Sequence, residues 1–201
     1  ELSPFLAADN ETLYFSSAGF SGYGGSDIYI SRRLDDTWTN WTEPENLGSE
    51  INTQGDDEFF TLPPSGKFAY FTRGSVEENA DILQIELPIF YQPSPVVSIK
   101  GVISDENSDG PVAARISYTL LPEEENVGYV MSDAETGEYE ILLPAGSAYS
   151  YVIEAEGYAP ITERIDLMEE SDYREIQKNL NLIKEGSDDQ KIDDFFSKKT
   201  S

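Results

Sequence analysis

Hydrophobic and polar residues alternate in short runs along most of this chain, and the earliest runs come in related pairs. Leu13-Tyr14-Phe15-Ser16-Ser17 and Ser26-Asp27-Ile28-Tyr29-Ile30-Ser31 flank a glycine-rich stretch. Their aromatic and β-branched content predicts two adjacent antiparallel strands. The pattern recurs as Phe68-Ala69-Tyr70-Phe71-Thr72-Arg73 and Ala80-Asp81-Ile82-Leu83-Gln84-Ile85. Tyr70 minus Tyr14 gives a spacing of 56, and Asp81 minus Asp27 gives 54.

Repeats of this length, each holding a few short strands, predict propeller-type blades. Asp9-Asn10 marks a turn tolerant of left-handed backbone, and Gly19, Gly22, Gly24 and Gly25 mark a long hairpin. Asp35-Asp36-Thr37 is the next turn, and Trp38 to Pro44 carries both tryptophans. In the second copy Phe59-Phe60-Thr61-Leu62 is a strand and Pro63-Pro64-Ser65-Gly66 a turn. Residues 1–92 thus read as about two blades of a partial β-propeller, too few to close a ring.

Pro88, Pro93 and Pro95 predict a stiff linker and a domain boundary. Beyond it the strands are short and alternating, with turn residues every 8 to 12 positions. Residues 93–184 therefore read as a seven-stranded Greek-key β-sandwich, making the chain all-β. Glu138 to Leu143 alternates cleanly, with Tyr139, Ile141 and Leu143 on one side. Met168 to Gln177 reads as a short helix, on the spacing of Tyr173 and Ile176 and a Ser171-Asp172 cap. Residues 185–201 read as an acidic linker toward a further domain, with Ile192, Phe195 and Phe196 as a small helical patch.

Charge narrows the functional classes. Lys and Arg total 13 against 39 Asp and Glu, a net charge of −26. Such a surface repels nucleic acid and anionic lipid, and suits solubility, cationic partners or divalent ions. With no cysteine and no histidine, the chain cannot carry a disulfide, a Ser-His-Asp triad or an ordinary zinc site. No apolar run reaches the ~20 residues a membrane-spanning helix needs. The opening Glu1-Leu2-Ser3-Pro4-Phe5 has no signal-peptide pattern and reads as the interior of a longer protein.

Several motifs carry a resemblance. Gly24-Gly25-Ser26-Asp27-Ile28-Tyr29, Tyr14-Phe15, Trp41-Thr42-Glu43-Pro44-Glu45-Asn46-Leu47-Gly48 and Ile51-Asn52-Thr53 are similar to the PD40, or WD40-like TolB-type, propeller repeat. The second copy departs from that repeat at Pro63-Pro64 and Leu83, and lacks a following tryptophan strand. Ile99-Lys100-Gly101-Val102-Ile103, Thr136-Gly137-Glu138-Tyr139, Leu143-Pro144-Ala145-Gly146 and Ala155-Glu156-Gly157-Tyr158 resemble the carboxypeptidase regulatory-like domain, a transthyretin-type accessory sandwich without a zinc site. The two in succession resemble OmpA-family envelope proteins of Bacteroidota, some of which serve type IX secretion. The resemblance implies a non-catalytic scaffold in the periplasm, associated with the outer membrane. Its expected partners are envelope or secretion-system proteins, with peptidoglycan reached only through a domain outside these residues.

Candidate site residues follow from side-chain chemistry. Trp38, Trp41 and Tyr23 are candidate sugar-stacking aromatics, which would make the chain a surface glycan-binding module. Asp27 and Asp81 are expected to be structural aspartates that accept backbone N–H groups and fix turns. Asp105, Glu106 and Asp109 supply oxygen ligands of the kind calcium takes, without EF-hand spacing. No other cofactor is expected. Asp35-Asp36 and Asp56-Asp57-Glu58 are the acidic clusters a propeller glycosidase would need. Both lie at expected turns, where charge is ordinarily solvated, so no catalytic residue is assigned.

Overall fold

A computed structural model describes residues 1–74, 80–122 and 125–186. The expected helical patch at Ile192, Phe195 and Phe196 lies outside the described residues. The described part is all-β, with mainly antiparallel sheets of three or four strands and none closed into a barrel. Among the described residues no helix is long and apolar enough to cross a membrane. The chain divides into two compact units, Glu1–Val96 with Ser171–Arg174, and Val97–Glu170 with the residues from Glu175 onward.

The first unit holds two meanders. β1 (Leu2–Leu6), β2 (Thr12–Ser17), β3 (Asp27–Arg32) and β4 (Glu45–Asn46) form one sheet in that order. β5 (Asp57–Thr61), β6 (Phe68–Arg73) and β7 (Asp81–Glu86) form the other. The two agree in detail. Ser17 pairs with Asp27 as Arg73 pairs with Asp81, so Tyr70 occupies the place of Tyr14. The first strand of each is bulged, between Leu2 and Phe5 and between Glu58 and Thr61. Each bulge carries a left-handed residue, Ser3 at φ 49° and Phe59 at φ 55°, again 56 apart. The following turn also repeats. Asn10 at φ 61° donates to the Ala7 carbonyl, and Gly66 at φ 68° to that of Pro63.

The register puts Tyr14, Ile28 and Ile30 on one face of the first sheet. On that face they pack with Phe60, Leu62, Ala69 and Phe71 of the second, and the Tyr14 ring stacks on Phe60 at 4.5 Å. Ala69 and Phe71 lie on the face of their sheet opposite Tyr70. The sheets are therefore stacked front to back. The Tyr face of the first is covered, whereas the Tyr face of the second lies open. Tyr14 and Ile28 are 0% exposed, while their counterparts Tyr70 and Ile82 are 38% and 79% exposed.

Loops tie the stack at one end. The segments before Asp27 and Asp57 run side by side, with Gly25 donating to the Gly55 carbonyl and Asp57 to that of Ser26. Gly24 sits so close that a Cβ there would lie 2.3 Å from the Gln54 carbonyl carbon. The segment leading out of the unit is fastened as well. Arg32 donates to the Gln92 carbonyl, the Ser94 N–H donates to Asp9, and the Tyr14 hydroxyl donates to the Tyr91 carbonyl.

Two expected elements need correction here. The outer strand that the repeat resemblance implies over Trp41 to Gly48 is fragmentary: Trp41 makes a single bridge to Arg33, and only Glu45–Asn46 form a strand. Nor is Met168 to Gln177 a helix. Its end, Arg174–Gln177, is a strand beside the long strand of the second unit, which offers the backbone partners a four-residue helix would lack.

The second unit is built on two sheets and holds eight strands among the described residues, not seven. One sheet has the order β10 (Glu125–Met131), β9 (Arg115–Leu121), β12 (Ala148–Glu154), β13 (Ile161–Asp166). The other is β11 (Glu138–Pro144), β8 (Val96–Asp105), β14 (Arg174–Gln177), with β15 (Leu180–Leu182) running parallel to β8. Buried Tyr139, Ile141 and Leu143 alternate with exposed Glu138 and Glu140 and half-buried Leu142, the period-two pattern of a one-sided strand. They pack with Ile99, Ile103, Ile116, Tyr151 and Ile153 into one core. Each such side chain contributes roughly 1.5–3 kcal/mol by burial.

Candidate functional site

The hairpin that leaves β3 gathers the most distinctive chemistry of the first unit. It is closed by Leu34 donating to the Asn40 carbonyl, and by the bridge of Arg33 to Trp41. Asp35 organises its tip. One carboxylate oxygen accepts the N–H and hydroxyl of Thr37, and the other accepts the side-chain amide of Asn40. These bonds hold the Asp35 carboxyl below the ordinary carboxylate range, with the Thr37 hydroxyl the largest cause. The Trp41 indole N–H donates to the Trp38 carbonyl at 3.0 Å, which fixes Trp38 in its left-handed conformation.

Arg33 completes the arrangement. Its guanidinium lies 4.7 Å from the Trp38 ring centroid and donates to Asp36 at 2.8 Å and to the Asn10 carbonyl at 3.1 Å. The Trp38 side of the hairpin stays open, with the residue 50% exposed. The Trp38 and Trp41 rings stand 6.3 Å apart and tilted. Arg33 also lines a cavity of about 220 Å³, together with Glu11, Leu34, Asp35 and Asp36. Tyr23, expected with the two tryptophans, is not part of this group. It stands before Asp27 at the far end of β3, roughly 17 Å of strand away. Sequence reasoning missed Arg33 and Glu11, which the β1–β2 turn brings beside the hairpin.

The two repeat aspartates differ. Asp27 is buried and accepts the Tyr23 N–H and the Asn46 amide on one oxygen. Asp81, at the matching register position, is exposed. The buried counterpart of Asp27 is Asp57, absent from the sequence-based assignment as a structural residue. It accepts the N–H and hydroxyl of Thr53, four residues before it, as Asp27 accepts from Tyr23 four before it. Asp57 also pairs with Arg73 at 2.9 Å. Its acidic neighbour Asp56 accepts the Ser26 N–H. Asn52 is a second buried residue missed, bonding both the N–H and the carbonyl of Ile28.

In the second unit Asp105 serves as a structural junction. One oxygen accepts the N–H groups of Asn107 and Ser108; the other accepts the Tyr158 hydroxyl at 2.8 Å and pairs with Lys184 at 3.0 Å. Lys184 and then Tyr158 hold its carboxyl well below the usual range. Glu106 and Asp109 are exposed. Among the described residues no three acidic side chains converge as a metal site. A groove of about 650 Å³ runs past Lys100, Met131, Asp133, Glu138 and Tyr139. Lys100 is paired there with Glu140 and Glu175. The Tyr139 hydroxyl donates to the Lys178 carbonyl, and burial pushes its phenol up to about 12.

No protein-family model matches the chain, and no curated protein matches it. Among solved structures it is similar to 3-chlorocatechol 1,2-dioxygenase from Rhodococcus opacus, at 13% identity and a TM-score of 0.35. That match covers 46% of this chain and 61% of the dioxygenase. It is also similar to the Bacillus anthracis TIE protein, at 9% identity and a TM-score of 0.38, over 92% of this chain and 32% of that one. A third is the group B streptococcus pilus 2b backbone protein, at 10% identity and a TM-score of 0.37, over 94% of this chain and 83% of that one. The chain spans less than two thirds of the dioxygenase length, and likeness this shallow carries no assignment of function.

Proposed function

We propose that this chain is a non-catalytic scaffold and protein-interaction segment of a cell-envelope protein of the OmpA-family type. In this reading residues 1–92 are two blades of a PD40-type propeller. Residues 93–184 are a Greek-key sandwich of the carboxypeptidase regulatory-like kind, acting as a spacer. The protein stands in the periplasm against the outer membrane, where it links a secretion-type assembly to peptidoglycan through domains outside these residues. The observation that carries the reading is the front-to-back stack of two matching sheets. Its arrangement continues naturally to a further sheet on the open Tyr70 face, as blades in a ring do.

The acidic clusters weigh on the same side. Asp35, Asp56 and Asp57 are each committed to holding a loop. In the full-length protein, a photo-crosslinker at Ile82 should join another repeat of the same chain, and cell fractionation should place the protein with the outer membrane. A freely solvent-labelled Ile82 position in a cytoplasmic fraction would overturn the reading.

A further inference from the structure

We propose that the outer edge of β7 is a docking site for an extended, basic segment of a partner protein, which joins the second sheet as its fourth strand. The inference names a partner class for the protein-interaction reading and rests on it. It uses the backbone edge of β7, whereas that reading is carried by the open Tyr70 face.

The first sheet shows what the second lacks. Leu87 donates to the Lys67 carbonyl, so in the unbroken β6–β7 register Asp81, Leu83 and Ile85 bond inward to β6. Ile82, Gln84 and Glu86 therefore turn their N–H and C=O groups outward. Their counterparts, 54 residues earlier, are Ile28, Ile30 and Arg32, and each of those has a partner. The Asn52 side chain bonds both backbone groups of Ile28, Ile30 pairs with Glu45, and Arg32 exchanges bonds with Thr42. Among the described residues nothing does the same along β7. The edge also lacks the usual protection. β7 carries no proline, lysine or bulge, and its Ile82 is 79% exposed.

Reach and charge decide the occupant. The segment that follows β7 cannot turn back along it. Tyr14, Arg32 and Asp9 hold the Tyr91 and Gln92 carbonyls and the Ser94 N–H on the first sheet. A second copy brings a further net charge of −26 against the exposed Asp81 and Glu86. A basic strand suits the edge, with Lys or Arg beside those two carboxylates at its ends and an apolar side chain beside Ile82. Main-chain bonds supply the affinity, and these side chains the choice of partner.

The test uses the full-length protein and a fluorescein-tagged peptide, Lys-Thr-Ile-Thr-Ile-Thr-Lys. Anisotropy should show saturable binding, and hydrogen exchange should slow at the Ile82, Gln84 and Glu86 amides. The peptide with glutamate at both ends, or with alternate backbone nitrogens methylated, should bind about tenfold more weakly. Gln84→Pro removes an outward N–H that the fold does not use, so it should weaken binding about tenfold and keep the thermal transition. Gln84→Ala should bind like the wild type. Slow exchange at these amides before peptide is added would assign the edge to another segment of the same protein. Slowing that grows with protein concentration would assign it to a second copy. Either result, no saturable binding, or undiminished binding of the methylated peptide would overturn the proposal. The Ile82 crosslink and the fractionation do not depend on the edge, so the two readings fail separately.

Discussion

The two sheets of the first unit share strand order, bulge, turn and register, yet the same positions do opposite things. Tyr14 lies in the core of the stack and bonds the Tyr91 carbonyl; Tyr70 lies on the open face and bonds the exposed Gln84 amide. Sequence sets the local geometry of both. What differs is the neighbour. The first sheet has another sheet on its Tyr face, and its chain continues through the tryptophan hairpin into a fourth strand. The second has neither, because the chain turns at Pro88 into the short 3-10 turn Ile89–Tyr91. Equivalent residues in a repeat therefore need not have equivalent energies.

The harshest way to break this comparison is to place a charge at the two matching tyrosines. Tyr14→Asp buries an unpaired carboxylate among Phe60, Ile30 and Leu62, and should abolish the cooperative thermal transition of the first unit. Tyr70→Asp should change stability by less than about 0.5 kcal/mol. Equal losses would mean that the Tyr70 face is covered in solution. Next in size, Phe60→Ala removes the ring stacked on Tyr14 and should cost about 3–5 kcal/mol in chemical denaturation. Phe68→Ala, on the open face, should cost well under 1 kcal/mol.

The aspartates sharpen the same contrast. Asp57→Ala leaves Arg73 and the Thr53 turn without their shared carboxylate, and should cost about 3 kcal/mol. Asp81→Ala should be nearly silent in the same denaturation curve. An Asp81 loss as large as that of Asp57 would return the structural role to the position that sequence similarity singled out.

That misassignment shows how far the sequence could be read. Strands such as Leu13–Ser17 and Glu138–Leu143 were legible because alternation and β-branched content report directly on a half-buried strand. The turn at Pro63–Gly66 was legible from its residues. Burial was not. Asp81 and Asp27 stand alike before an isoleucine, and only the Tyr23 and Asn46 contacts around Asp27 enclose its carboxylate. Residues 174–177 were too few to separate a helical from a strand period, and β8 settled the outcome. In the candidate site, the tryptophans announced themselves. The left-handed backbone at Trp38 and the approach of Glu11 from another turn leave no local signature, whereas Tyr23 was grouped with them by composition alone.

The smallest expected effect concerns the hairpin that the first sheet has and the second lacks. Its tip depends on the Asp35 carboxylate, whose folded pKa is depressed chiefly by the Thr37 hydroxyl. A depressed pKa means that the loop's contribution is fully present above the unfolded value of about 3.9. It is lost as pH falls through the lower folded value. Tryptophan emission should therefore stay flat from neutral pH down past pH 4, then shift with a midpoint below about 3.9, before the acid transition seen by circular dichroism. In Asp35→Asn the amide can still accept from Thr37 but does not titrate, so the separate fluorescence step should vanish while the global acid transition stays. A midpoint at or above the ordinary carboxylate value would mean that Asp35 does not hold the tip, and the rigid presentation of Trp38 would lose its physical basis.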